Sequence, residues 1–393
     1  MKALLRASVI LLVMGLVCSG CGKKEAETEQ PPEQPKTGGA EKPQRSPDQA
    51  LKTGIAFLKN NQNEDGSFGK LQPGVGITAL CVYGVANSKQ ASDPDAKQVI
   101  DRAAKYILSN QKPDGSINNH ERMLAIYRTS LSVMALTVID AEKYEEPIAR
   151  GREYLKKSQF IEANGDYLPE QWEYGGWDYA KENDEPDPDL SNVQFALSAL
   201  KESGLSPDDE AFKRAIIFLQ RCQNRTESND VPPPAEGEPK VGNDGGAIYT
   251  PRQSKAGVVE LPDGTKVFKS YGSMTYALLK SYIFCGLPTD DARVRAAYDW
   301  IAEHYTVDEN PGIGQMGLFY YYLSMARALD AFGAKTVKTT DGREHNWRAE
   351  LAAKLISMQN DDGSWVNPED RWVESHPTLV TGYAINVLNY CRE

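Results

Sequence analysis

Histidine is scarce in this sequence: four in 393 residues, His120, His304, His345 and His376, with no ligand spacing among them. Cysteine is nearly as rare, six in all, and none belongs to a Cys-x-x-Cys pair. Zinc ribbons and dithiol redox motifs are thereby excluded, and nothing in the chain asks for a cofactor. Basic residues are outnumbered, 44 Lys and Arg against 55 Asp and Glu, for a net charge of −11. An acidic chain with no basic stripe argues against a nucleic-acid partner. Long apolar runs are missing too, and the one at the start, Ala7 to Val17, is too short to span a bilayer.

That run follows Lys2 and Arg6 and leads into small residues. Residues 1–20 therefore read as a secretory signal. Its end resembles a bacterial lipoprotein cleavage site, in which Ser19 and Gly20 fit, Cys21 would carry the lipid, and Cys18 stands where leucine is usual. The resemblance implies an exported protein held in the cell envelope by a lipid anchor, periplasmic or surface-facing. Residues 21–45 hold no large apolar side chain and cannot bury enough surface to order themselves, so they read as a disordered tether. The other four cysteines, Cys81, Cys222, Cys285 and Cys391, read as buried thiols, because three of them sit in apolar helical stretches.

What is present is a repeat. "QNEDGSFG" at Gln62 returns as "QKPDGSIN" at Gln111 and "QNDDGSWV" at Gln359. Diverged copies follow Gln159 and Gln223, and a sixth replaces Gln with Tyr305. Upstream of each copy lies an amphipathic segment, such as Leu51, Ile55 and Leu58 on one stripe. Downstream lies a segment apolar on most sides, such as "GITALCVYGVA", which predicts a buried helix. Alternating amphipathic and buried helices predict two concentric rings, with the repeated phrase as the turn from outer to inner helix. Gln is expected to reach orphan backbone carbonyls of its own last helical turn, Gly to take the positive-φ position, and Phe68, Ile117 and Trp365 to plug the groove. Within residues 224–270, an insertion, "AGVVELPDGTKVFKS" predicts a β-hairpin with Asp263-Gly264 at its tip. It is open between a lid over the cavity mouth and an inert surface decoration.

Aromatic-Leu-x3-Gln-x-x-Asp-Gly-Ser-aromatic, alternating with inner helices, resembles the repeat of squalene cyclases and protein prenyltransferases. The resemblance covers residues 46–393 and implies an all-α (α/α)6 toroid of six inner and six outer helices. It also implies where chemistry would sit. Class II terpene cyclases carry Asp-x-Asp-Asp at the start of one inner helix, and its middle Asp protonates the substrate. Aligned on its Ala-Leu end, that motif falls on Asp189, Leu190, Ser191 and Asn192. Ser191 in the donor's place cannot protonate an alkene, because its alkoxide is far too basic. The zinc-binding Asp-x-Cys of prenyltransferases is absent, as is the Asp-Asp-x-x-Asp of prenyl synthases: Asp208-Asp209 and Asp290-Asp291 look like acids at helix N-termini. No metal site is expected.

One stretch gathers candidates for a site. Trp172, Tyr174, Trp177 and Tyr179 crowd the linker that ends in Asp189, Ser191 and Asn192. Tyr320 and Tyr321 form part of a second aromatic cluster, and Arg128 begins the second inner helix. These residues read either as an aromatic-lined ligand site at the mouth of the toroid or as helix caps and turn plugs. Three functions follow. The first is binding of an apolar, isoprenoid-like molecule or a protein partner without cyclase chemistry. The second is an enzyme acting on a terpenoid or polyprenyl substrate with a rearranged acid, Asp189 or else Asp178 or Asp187. The third is a glycan-processing α/α barrel using carboxylates such as Glu170 and Glu173.

Overall fold

Helical periodicity begins at Pro47, with Ser46 closing a capping box on Gln49, and the described residues then build twelve α-helices in pairs. The computed structural model describes residues 45–392 apart from 70–73, 120–123, 180–185 and 233. The signal segment, Cys21 and the tether up to residue 44 lie outside the described residues, as do His120 and Pro233. The pairs are α1 (Pro47–Asn61) with α2 (Val75–Ala86), α3 (Pro94–Ser109) with α4 (Ala125–Asp140), and α5 (Glu145–Lys157) with α6 (Leu190–Glu202). They continue with α7 (Glu210–Arg221) and α8 (Gly272–Phe284), α9 (Ala292–His304) and α10 (Leu318–Phe332), and α11 (Trp347–Met358) and α12 (Pro377–Tyr390).

The even helices form the inner ring. Each packs on the next, α2 on α4 through to α10 on α12, and α12 packs back on α2. The outer ring closes where α1 meets both α3 and α11. The reason is visible in burial. Outer helices bury one stripe, such as Val99, Ala103 and Ile107 of α3, whereas α6 buries every residue from Leu190 to Leu200. The fold is the all-α double ring of six inner and six outer helices, with two small β-hairpins as its only strands among the described residues.

The recurring phrase is the outer-to-inner corner, but its Gln works differently from the expectation. Gln62 Nε2 donates to Gly66 O in its own turn and to Val99 O on α3, the next outer helix. Gln111 bridges Gly115 O and Pro147 O, Gln159 bridges Gly175 O and Ala211 O, and Gln223 bridges Gly245 O and Arg293 O. Gln359 reaches Gly363 O and closes the ring onto Ala50 O of α1. The amide therefore staples neighbouring units instead of capping its own helix. Tyr305 serves the sixth corner, donating to Glu350 of α11 at 3.0 Å.

Glycine is required twice over at these corners. Gly66 has φ +91°, and a Cβ there would lie 2.3 Å from Arg102 O of the next outer helix. The plugs Phe68, Ile117, Trp177 and Trp365 are fully buried. The backbone N–H of Phe68, Ile117 and Trp365 donates to Thr78, Thr129 and Thr381 of the inner helix that follows each.

The expected hairpin is β1 (Val258–Glu260) against β2 (Lys266–Phe268), turning through Asp263-Gly264. A second, β3 (Val337–Lys338) with β4 (Glu344–His345), was not foreseen, although Asp341-Gly342 marks its turn. Asp209 and Asp291 cap α7 and α9 through Ala211 N and Arg293 N. The four described cysteines are free and buried.

Candidate functional site

The first turn of α6 carries a closed set of polar contacts. Asp189 is its N-cap, 1% exposed. Its Oδ1 accepts from Asn192 N at 2.9 Å and its Oδ2 from Asn192 Nδ2 at 2.7 Å. Burial pushes the Asp189 carboxyl up to about 7, and hydrogen bonds from Asn192 and Tyr249 only partly oppose that rise.

Ser191 is joined by its hydroxyl to the hydroxyls of Tyr127 on α4 and Tyr320 on α10, the latter at 2.6 Å. These three helices are not all neighbours in the ring, since α8 separates α6 from α10. The Tyr127–Ser191–Tyr320 bridge therefore crosses the ring's interior. Around it the Tyr127 ring stacks on Tyr179 at 6.0 Å and meets Phe195 at 4.9 Å. Tyr320 meets Phe195 and Tyr383 of α12, each at 6.3 Å. Tyr179 and Tyr249 share a hydroxyl hydrogen bond of 2.6 Å. Burial raises the tyrosine hydroxyls, Tyr320 to about 12, so at neutral pH they stay protonated. Tyr127, Tyr320 and Tyr383 keep half-buried rings although they stand on inner helices.

Of the residues singled out from the sequence, Tyr179, Asp189, Ser191, Asn192 and Tyr320 meet in this cluster. The others lie elsewhere. Trp177 is a corner plug whose indole N–H donates to Leu155 O at 2.7 Å. Tyr174 bonds Glu162 on the outer side, and Trp172 stacks under Arg252 at 4.8 Å. Tyr321 points outward, its hydroxyl on Thr306 O, because it follows Tyr320 by one residue and thus about 100° around the helix. Arg128 donates to Asn118 at 2.7 Å beside α2. Sequence reasoning did not single out Tyr127, Tyr383 or Gln194. The insertion delivers a further aromatic, Tyr249, to the site through Leu190 N donating to Tyr249 O. The available signal for Gln194 was its place one turn after Ser191 on the same face of an inner helix. Among the described residues no group of three or more His, Cys, Asp or Glu side chains forms a metal site.

Residues 71–230 match the family model of the squalene-hopene cyclase C-terminal domain. A drimenyl diphosphate synthase from Streptomyces showdoensis is 28% identical over 170 residues, which is 43% of this chain and 30% of that protein. The chain thus matches about a third of the length of that curated relative. Among solved structures, the type II terpene cyclase MstE from Scytonema superposes with a TM-score of 0.53 at 12% identity, over 87% of this chain and 97% of that one. A family 76 glycoside hydrolase from a bovine Bacteroides thetaiotaomicron strain gives 0.57 at 10%, over 88% and 77%. At such identities the two structures share the fold alone.

Proposed function

We propose, from the premise that this chain is a toroid of the squalene cyclase-like superfamily, that it binds an apolar, isoprenoid-like molecule at the aromatic mouth of its inner ring without cyclising it. The observation that carries this reading is the state of Ser191. It stands where the resemblance puts the proton donor, and its hydroxyl is engaged by two tyrosines. Asp189 is tied to Asn192, and burial moves its carboxyl toward weaker acidity, the wrong direction for protonating an alkene. The half-buried rings of Tyr127, Tyr320 and Tyr383 supply apolar faces with polar rims, which suits a ligand of isoprenoid type.

The test is binding of farnesol and geranylgeraniol to the full chain, followed by intrinsic fluorescence, with product analysis alongside. Saturable binding that Tyr320→Ala weakens about tenfold, with no cyclic product, is the expected result. The competing reading is an enzyme with Asp189 as a rearranged acid, favoured by its protonation near neutral pH. A cyclic product whose formation Asp189→Asn abolishes would establish that reading instead.

The signal segment supports a further part of the proposal, export and lipid anchoring through Cys21. Cells fed a labelled fatty acid are expected to label the wild-type chain and not Cys21→Ala. Equal labelling of both removes the anchor from the proposal.

A further inference from the structure

Deeper in the inner ring lies a group of charges that the hydroxyl cluster does not use. Lys280 is the one charged residue of α8 and is fully buried. Its Nζ donates to Gln194 Oε1, and the rings of Phe195 and Phe284 flank it at 5.8 Å each. The nearby carboxylate, Glu202 of α6, is taken by others: it accepts from Arg327 of α10 and from the Tyr83 hydroxyl of α2 at 2.9 Å. Helices α2, α6 and α10 alternate around the ring, so the Tyr83–Glu202–Arg327 bridge crosses the interior as the Tyr127–Ser191–Tyr320 bridge does. Tyr320, Ser324 and Arg327 share one stripe of α10, and Ser191, Gln194, Ser198 and Glu202 share one of α6. The two bridges are therefore a mouth and a floor of the same interior, linked by Gln194, which donates to Tyr320 and accepts from Lys280.

The floor has donors to spare. Arg327 Nε and Ser324 Oγ are buried without a partner. Lys280 carries more N–H bonds than its single acceptor can use. Buried donors left unpaired are costly, and an acceptor-only group would satisfy them. We propose that this floor is a second, deeper subsite that receives the carboxylate of a ligand whose apolar chain lies against the aromatic mouth. The inference rests on the central-binding reading above and names the head group that reading left open.

Charge balance selects a monoanion. Burial pushes the Lys280 ammonium well below its ordinary value, Arg327 adds to that push, and Glu202 opposes it. Arg327 and Glu202 cancel as an ion pair, and Lys280 is the remaining basic group of the floor. A single carboxylate paired with the Lys280 ammonium leaves the floor neutral, whereas a dianion would leave a buried charge unmatched. The groups facing Lys280 are Gln194, Phe195 and Glu202 from α6 and Arg327 from α10. Toward α7 and α9, the opposite face of α8 presents Tyr282, which bonds Gln223 and lies under Arg293.

The matched pair farnesoic acid and farnesol tests this by calorimetry on the full chain at pH 7.5. The acid is expected to bind at least about tenfold more tightly. Lys280→Met is expected to lose the preference while still binding farnesol, since replacing a buried amine by an apolar side chain of similar size is tolerated. Arg327→Lys, which keeps the charge but loses Nε, should reduce the preference in part. If Lys280→Met does not fold, the wild-type comparison decides alone. Equal affinity for acid and alcohol overturns the subsite and leaves the central site standing, provided Tyr320→Ala weakens both ligands. Binding of neither ligand overturns both.

Discussion

Asp189 has two jobs whose requirements conflict. It caps α6, and it does so in a place that disfavours its charge. Below its ordinary value of 3.8 the carboxyl is protonated in both folded and unfolded chains and has no effect on stability. As pH rises, the unfolded chain releases the proton first while the folded chain holds it to about 7, so stability falls across that interval and then levels off. Asp189→Asn should flatten this slope in urea melts between pH 4 and pH 8. The cap survives the change, because the Asn192 amide can turn its unpartnered Oδ1 toward a new N–H donor. An unchanged slope would mean that another group sets it. Asp189 was legible from sequence because cap chemistry is local. Tyr127 was not, since its partner Ser191 is 64 positions away and nothing in the local pattern joins them.

At the scale of elements, the corner is the unit of construction. Gln359→Leu removes donors from buried carbonyls on two units at once and should cost about 1–3 kcal/mol in denaturant unfolding. Gly66→Ala should cost about 3 kcal/mol, because the new methyl meets the Arg102 carbonyl as well as a strained φ. Gly204 provides the control: its φ is +84° with nothing within 4 Å, so Gly204→Ala should cost only the backbone term, about 1 kcal/mol. Equal costs at both positions would show that the close approach between units carries no weight. The element sequence was readable because period and punctuation are local properties. The partners of each Gln were not, because they lie on the next outer helix, 36 to 70 residues further on, or for Gln359 back at Ala50.

On the scale of the molecule, closure does what no single unit can. The last unit meets the first where α12 packs on α2 and Gln359 reaches Ala50. Trp365 fills that seam, fully buried, its indole donating to Leu355 O at 2.8 Å and its ring against Gly54 of α1. Trp365→Ala should cost about 3–5 kcal/mol and should loosen α1 together with α12 in hydrogen exchange. Protection lost only within α11 and α12 would show that the seam is not shared. Closure also puts Arg327, Glu202 and Tyr83 in one place, although 244 positions separate the outermost two in sequence, by the difference 327 − 83.

The amino-acid sequence alone determined the alternation of helices, the corners, the hairpin in the insertion and the family likeness, because each rests on spacing within some tens of residues. Which side chains face one another across the interior was decided only by the tertiary structure. A helix turns about 100° per residue, so Tyr320 and Tyr321 part company, and only ring closure brings alternate helices within reach of each other.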